Sequence, residues 1–244
     1  MDKYLVIFDC DGVLVDSEQI VQDIDLLMIA ELGWPITRDE IFDEHLGRSE
    51  QAVARNIERR TGKPLPAGFL QERRARYLHA FETELKPVVG IEAAVKQLQV
   101  MSTPTCIASS GNHERMNLTL GVTGLRRHFA GRIFSGDEVE RGKPAPDLFL
   151  HAARSMTYDP ADCVVVEDSP SGVTAARSAG MRVVAYAGLT PARFLQEADT
   201  VIADMGELVD TIERLRVTPS KAAPSYCTAR TAPITVGTHS RCSP

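Results

Sequence analysis

The sequence contains no CxxC pair, no apolar run approaching the length of a membrane span, and no surplus of positive charge. Each absence excludes a class of protein. Of five cysteines in 244 residues, Cys10, Cys106 and Cys163 sit in or beside apolar runs and Cys227 and Cys242 lie in the last stretch. They form no disulfide framework, and a reducing cytoplasm is the simplest setting. The start, Met1-Asp2-Lys3-Tyr4-Leu5-Val6-Ile7-Phe8, turns acidic at once and lacks the length and flanks of a signal peptide. Without an apolar stretch of about 20 residues, no membrane partner is expected. A net charge of −6 argues against general nucleic-acid binding, whose affinity comes from cations neutralising phosphates. Any phosphate handled by this chain is met by a few placed groups.

What is present is an ordinary globular composition, 43% hydrophobic and 25% charged, with length enough for one large domain and a smaller insert. Short β-rich runs occur at Tyr4 to Phe8, Thr105 to Ala108, Cys163 to Val166, Arg182 to Tyr186 and Thr200 to Ile202, separated in the second half by helical patterns. That alternation predicts an α/β fold with a parallel sheet covered by helices. Residues 17–86 show helical periodicity (Ile20, Ile24, Leu27, Met28) and no convincing strand. They predict a helical insert between core segments 1–16 and 87–217. Within it Thr37 and Glu40 are spaced as a capping box, and Ser49 can cap a helix running through Val53 and Ile57 to a stop near Gly62. An insert leaving after the first strand sits over that strand's carboxyl end, where open α/β sheets bind ligands, and can act as a lid. From 218 to 244 the composition shifts to Pro, Ser, Thr and Ala without periodicity, which predicts a disordered tail.

The chemistry starts at Phe8-Asp9-Cys10-Asp11-Gly12, where a period of two puts the Asp9 and Asp11 side chains on one side if extension persists. The alternative is a plain turn ending the strand, since Asp and Gly are common turn formers. Phosphate-monoester hydrolysis, accelerated up to about 10²¹-fold by enzymes, needs several cooperating effects. One carboxylate can divide the reaction through an aspartyl-phosphate while a second carboxylic acid protonates the leaving oxygen. Two carboxylates facing an anionic phosphate require a cation, and Mg²⁺ favours carboxylate, carbonyl and water oxygens. Glu167 and Asp168, ending the apolar run Val164-Val165-Val166, could complete such a metal site. Ser169, Pro170 and Gly180 read as the cap, first position and end of a helix. Ser109, ending another buried run, is either a phosphate donor or a helix cap or turn. Lys143, between Gly142 and Pro144, is either a phosphate ligand or a solvated surface charge.

Taken in order, Asp9-Cys10-Asp11-Gly12-Val13-Leu14, Ser109, Lys143-Pro144 and Glu167-Asp168 resemble the four motifs of the haloacid dehalogenase superfamily, over about Lys3 to Leu215. The resemblance implies a Rossmann-like core with a helical cap inserted just after the first motif. It further implies Asp9 as nucleophile, Asp11 as acid/base, and Ser109 and Lys143 as phosphate ligands. Asp9, the Asp11 carbonyl and Asp168 are implied magnesium ligands, with Glu167 at or near the metal.

Asp16-Ser17-Glu18 and the run from Glu167 to Val173 resemble the β-phosphoglucomutase-like subgroup. Two departures point away from mutase activity: Val21 stands where the mutase has a histidine, and Glu50 where it has a cap arginine. Dehalogenation and phosphonate cleavage both dispense with the second aspartate, so Asp11 argues against them although Lys63 is a cap lysine. What remains resembles the bacterial sugar-phosphate and 6-phosphogluconate phosphatases, with a small phosphorylated metabolite as partner. The Gly47-Arg48-Ser49 turn is expected nearest the site, with Arg48 or His45 touching substrate unless Arg48 is a solvated helix-end residue. A phosphosugar mutase and a non-catalytic binding protein are the competing readings, and no motif position lacks a competent side chain.

Overall fold

The computed structural model describes residues 4–46 and 50–217. The expected cap of Ser49, the expected contact of Arg48 and the tail 218–244 lie outside the described residues. Six strands, β1 Leu5–Phe8, β2 Thr105–Ser109, β3 Ile133–Ser135, β4 Cys163–Glu167, β5 Arg182–Tyr186 and β6 Thr200–Ile202, form one parallel sheet in the order β3-β2-β1-β4-β5-β6. The apolar runs predicted all of these but β3. That strand is three residues long, half-buried at Ile133 and Phe134, and lies on the sheet edge, where short strands limit unwanted pairing.

After β1 the insert contributes four helices, α1 Ser17–Glu31, α2 Arg38–Glu44, α3 Glu50–Thr61 and α4 Phe69–Glu84. The Thr37–Glu40 capping box forms as expected, with the Thr37 N–H donating to Glu40 at 2.9 Å. Met28, Ile29, Trp34, Ile36, Ile41, Ile57 and Phe69 give this inserted cap a small core of its own. The chain leaves and re-enters the main body side by side. Val15 and Pro87 form an antiparallel bridge, and the Asp16 N–H donates to the Lys86 carbonyl at 2.9 Å.

The strands are buried on both faces because helices cover both. Val6, Phe8, Ile107, Val164, Val166 and Val184 face α5 (Ile91–Val100), α6 (His113–Val122) and α9 (Leu208–Val217). Leu5, Ile7, Cys106, Ala108, Val165 and Val183 face α7 (Asp147–Ser155) and α8 (Pro170–Ser178). The last helix of the cap joins the first of these cores, since Tyr77 and Phe81 of α4 are buried in it. On the far side the cap meets the core through an exposed pair, Arg193 after β5 and Asp43 of α2, 3.6 Å apart.

Register decides where the site forms. Phe8 lies opposite both Ile107 and Val166, and the Asp9 N–H donates to the Val166 carbonyl at 2.9 Å, so β1, β2 and β4 end close to one level. Chain order reverses between β1 and β4, which opens a crevice at their carboxyl ends. Among the described residues no helix is long and apolar enough to cross a membrane.

Candidate active site

Asp9 is the first residue beyond β1, Ser109 the last of β2, Glu167 the last of β4, and Asp168 follows it. Lys143 enters from the loop before α7. Its side chain is only 4% exposed, so it is no solvated surface charge. Nζ lies 2.5 Å from Asp9 Oδ1 and 2.7 Å from Glu167 Oε1, above the Phe149 ring. The other Glu167 oxygen accepts from the N–H groups of Asp168 and Ser169 at 2.8 and 2.7 Å and from the Ser169 hydroxyl at 2.9 Å. Glu167 thus anchors Lys143 to the start of α8. Ser169 and Pro170 do cap and open that helix, the Ser169 hydroxyl accepting from the Gly172 N–H at 3.0 Å.

Two glycines admit these carboxylates. A Cβ on Gly12, whose φ is +78°, would stand 2.0 Å from Asp168 Oδ2, and a Cβ on Gly172 would stand 1.7 Å from Glu167 Oε1. The backbone after Asp11 therefore packs against Asp168. Asp11 itself is held by one oxygen: Oδ1 accepts from the Ser17 hydroxyl at 2.6 Å and from Arg115 Nη2 at 3.0 Å. The Ser109 hydroxyl accepts from the Gly111 N–H at 3.2 Å.

Asp9, Asp11, Ser109, Lys143, Glu167 and Asp168 all line one cavity of about 390 Å³. Its opposite wall is the cap, where Glu18, Gln22 and Asp25 share a face of α1 and Arg73 of α4 grips Asp25 at 2.5 and 2.8 Å. His45 lines the cavity too, with Nε2 3.1 Å from Asn56 Oδ1 and its ring edge-on to Trp34. Sequence reasoning missed Ser17, Glu18, Arg73 and Arg115. Arg115 carries no signal of its place, because α6 is only weakly amphipathic.

Burial dominates the electrostatics. It pushes Asp9 up to about 7, against the pull of Lys143 and with help from Glu167 and Asp11. Asp168 rises well above the carboxylate range through burial, then through Glu167, Glu18 and Asp9. Burial and Asp11 push Glu18 up to about 7. Burial pulls Lys143 down, but Asp9 and Glu167 outweigh it and its ammonium is held more tightly than usual.

This crowd of buried carboxylates around one lysine is short of positive charge. Among the described residues no three His, Cys, Asp or Glu side chains are gathered as a ready metal cage. Mg²⁺ does not need one, because it is usually held by one or two carboxylates with waters and substrate phosphate completing the shell. Asp9 and Asp168, hard oxygen donors beside the Asp11–Gly12 backbone, fit that pattern. Glu167 fits it less well, both its oxygens being taken by protein donors.

A family model described as haloacid dehalogenase-like hydrolase matches residues 6–186. The chain belongs to that family. This haloacid dehalogenase-like hydrolase is 32% identical over 179 residues to a 6-phosphogluconate phosphatase of Escherichia coli (strain K12), covering 73% of this chain and 80% of that protein. A conserved haloacid dehalogenase-like protein of unknown function from Agrobacterium tumefaciens str. C58 superposes with a TM-score of 0.82 at 34% identity, covering 88% of this hydrolase and 100% of the other chain. A family hydrolase from Deinococcus radiodurans R1, with bound phosphate and sodium, gives a TM-score of 0.76 at 28% identity over 89% and 99% of the two chains.

Proposed function

We propose that this hydrolase is a magnesium-dependent phosphatase of a small phosphorylated metabolite, working through phosphorylated Asp9. The observation that carries the reading is the Asp9–Lys143–Glu167 chain at the carboxyl ends of β1 and β4, with Asp11 and Ser109 on the same cavity. Asp9 attacks phosphorus while Asp11 gives its proton to the leaving oxygen, then receives one from the water that splits the aspartyl-phosphate. Ser109 and Lys143 orient the phosphoryl oxygens, and Lys143 also fixes Asp9 for attack. Asp9, the Asp11 carbonyl and Asp168 would hold Mg²⁺, which when bound neutralises and polarises the phosphoryl oxygens.

A sugar phosphate or sugar-acid phosphate such as 6-phosphogluconate is the substrate class suggested by the Escherichia coli relative. The cap wall would meet its leaving group, with His45 a contact. A half-buried valine, Val21, lines the cavity where the mutase histidine would stand, which favours transfer to water over transfer within a sugar.

The test is a panel of phosphorylated metabolites with Mg²⁺. Phosphate release from at least one, falling to background with a chelator and recovering on Mg²⁺ addition, is expected. No release from any compound by folded, metal-loaded protein would overturn the reading. Conversion of β-glucose 1-phosphate to glucose 6-phosphate with little free phosphate would replace it with the mutase.

A further inference from the structure

Arg115 belongs to the core but stands under the cap. Its guanidinium carbon lies 5.3 Å from the ring centroids of both Tyr77 and Phe81 of α4, while Nη2 reaches Asp11. Its Nε is buried and, among the described residues, has no hydrogen-bond partner. Leaving such a donor dry is unfavourable. The two ring contacts favour the charge but leave that donor unsatisfied. A methionine would fill the same space without that cost, so packing alone does not explain a charge here.

The explanation lies in how Asp11 is gripped. Ser17 and Arg115 both donate to Oδ1, and among the described residues nothing donates to Oδ2. That second oxygen is turned toward the Ser109–Gly111 turn: a methyl group on Gly111 would stand 3.8 Å from it and 3.5 Å from the Ser109 hydroxyl. One oxygen of Asp11 is clamped and the other faces the place where phosphate is expected.

We propose that Arg115 is the positioning residue of Asp11: with Ser17 it fixes Oδ1, so that Oδ2 meets the leaving oxygen, and through Tyr77 and Phe81 it makes that aim depend on α4 being seated on α6. The inference rests on the phosphatase reading. In the first half-reaction the bond from Asp9 to phosphorus forms, the bond from phosphorus to the leaving oxygen breaks, and the Oδ2 proton passes to that oxygen. In the second, water attacks phosphorus, its proton passes to Oδ2, and the bond to Asp9 breaks.

Leaving-group dependence separates positioning from mere stability. The ratio kcat/KM reports only the first half-reaction, in which an alkyl leaving group needs the proton and p-nitrophenolate hardly does. Arg115→Ala is expected to lower kcat/KM about 10²-fold on the best alkyl phosphate of the panel and less than about 5-fold on p-nitrophenyl phosphate, with kcat falling on both. Arg115→Lys, which keeps a donor, recovers about tenfold on the alkyl substrate. Tyr77→Leu, which keeps the ion pair but loosens α4, shows the same selective loss in milder form. Equal losses on the two substrates, or none, in folded variants would overturn the proposal while leaving the phosphatase standing. Should Arg115→Ala fail to fold, the Lys and Tyr77→Leu variants carry the same comparison. Absence of turnover of either substrate by the wild type would overturn the phosphatase reading and this one with it.

Discussion

Asp9→Asn is expected to abolish turnover and at the same time to make the metal-free protein harder to unfold at pH 8. The first half follows from the proposed role, since an amide cannot form the aspartyl-phosphate, and a loss of at least about 10⁴-fold in kcat is expected. The second follows from the surroundings. Burial, together with Glu167 and Asp11, outweighs Lys143 and lifts Asp9 from the usual carboxylate range to about 7. Its folded-state pKa is thus above its unfolded value, so the native state binds the extra proton between about pH 4 and 7. The stability tied to that proton is fully present below pH 4 and is lost as pH rises through 7. In chelator, the Tm advantage of Asp9→Asn over wild type should grow from pH 5 to pH 8, reaching ~5 °C. Thermal scans at the two pH values check this, and a variant less stable than wild type at pH 8 would mean that the pair with Lys143 outweighs the crowding. Mg²⁺ held as proposed should narrow the gap, because the variant lacks one of the carboxylates that would bind it.

Gly172→Ala is the second large effect, and it touches no group proposed to react. A new Cβ would fall 1.7 Å from Glu167 Oε1, so the side chain of Glu167, 1% exposed, has to shift. Its displacement releases Lys143 from one of its two anchors and the start of α8 from another. Breaking a buried, hydrogen-bonded charge network costs about 3–5 kcal/mol. A Tm fall of ~10 °C and a kcat fall of about 10²-fold or more are expected. Gly180→Ala is the control: it meets nothing within 4 Å, though its φ of +76° makes alanine strained, so only a modest Tm change and full kcat are expected. Equal kcat in the two variants would show that Glu167 does not set the geometry of Lys143.

Much of this was legible in the chain because parallel strands buried on both faces announce themselves as continuous apolar runs ending in functional residues. β1, β2 and β4 were read this way, and so were Asp9, Ser109 and Glu167 at their ends. β3 was not, because an edge strand of three residues, two half-buried and the third a serine, has no such run. Apart from the motif resemblance, Lys143 could be suspected only from its place between Gly142 and Pro144; its burial between two carboxylates depends on a loop fold that periodicity does not encode. Ser17 and Arg115 were illegible for another reason. Their partner, Asp11, is 6 residues away from one and 104 from the other, and a helix pattern gives a side chain's face without naming what stands opposite. Arg73 and Asp25, 48 residues apart, were hidden likewise.

The cap is fastened unequally along its two edges. At α4 the fastening is aromatic, dry and part of the main core, and the two connecting strands run beside each other. At α2 it is the Asp43–Arg193 pair, both side chains more than half exposed. An exposed pair is worth about 0–1 kcal/mol and is weakened by salt, while buried ring contacts are not. The cap is therefore tied firmly at α4 and lightly at α2, and of these two fastenings salt weakens only the second. Replacing Arg193 by alanine should alter KM by a few-fold and leave Tm almost unchanged, which steady-state kinetics and a thermal scan check.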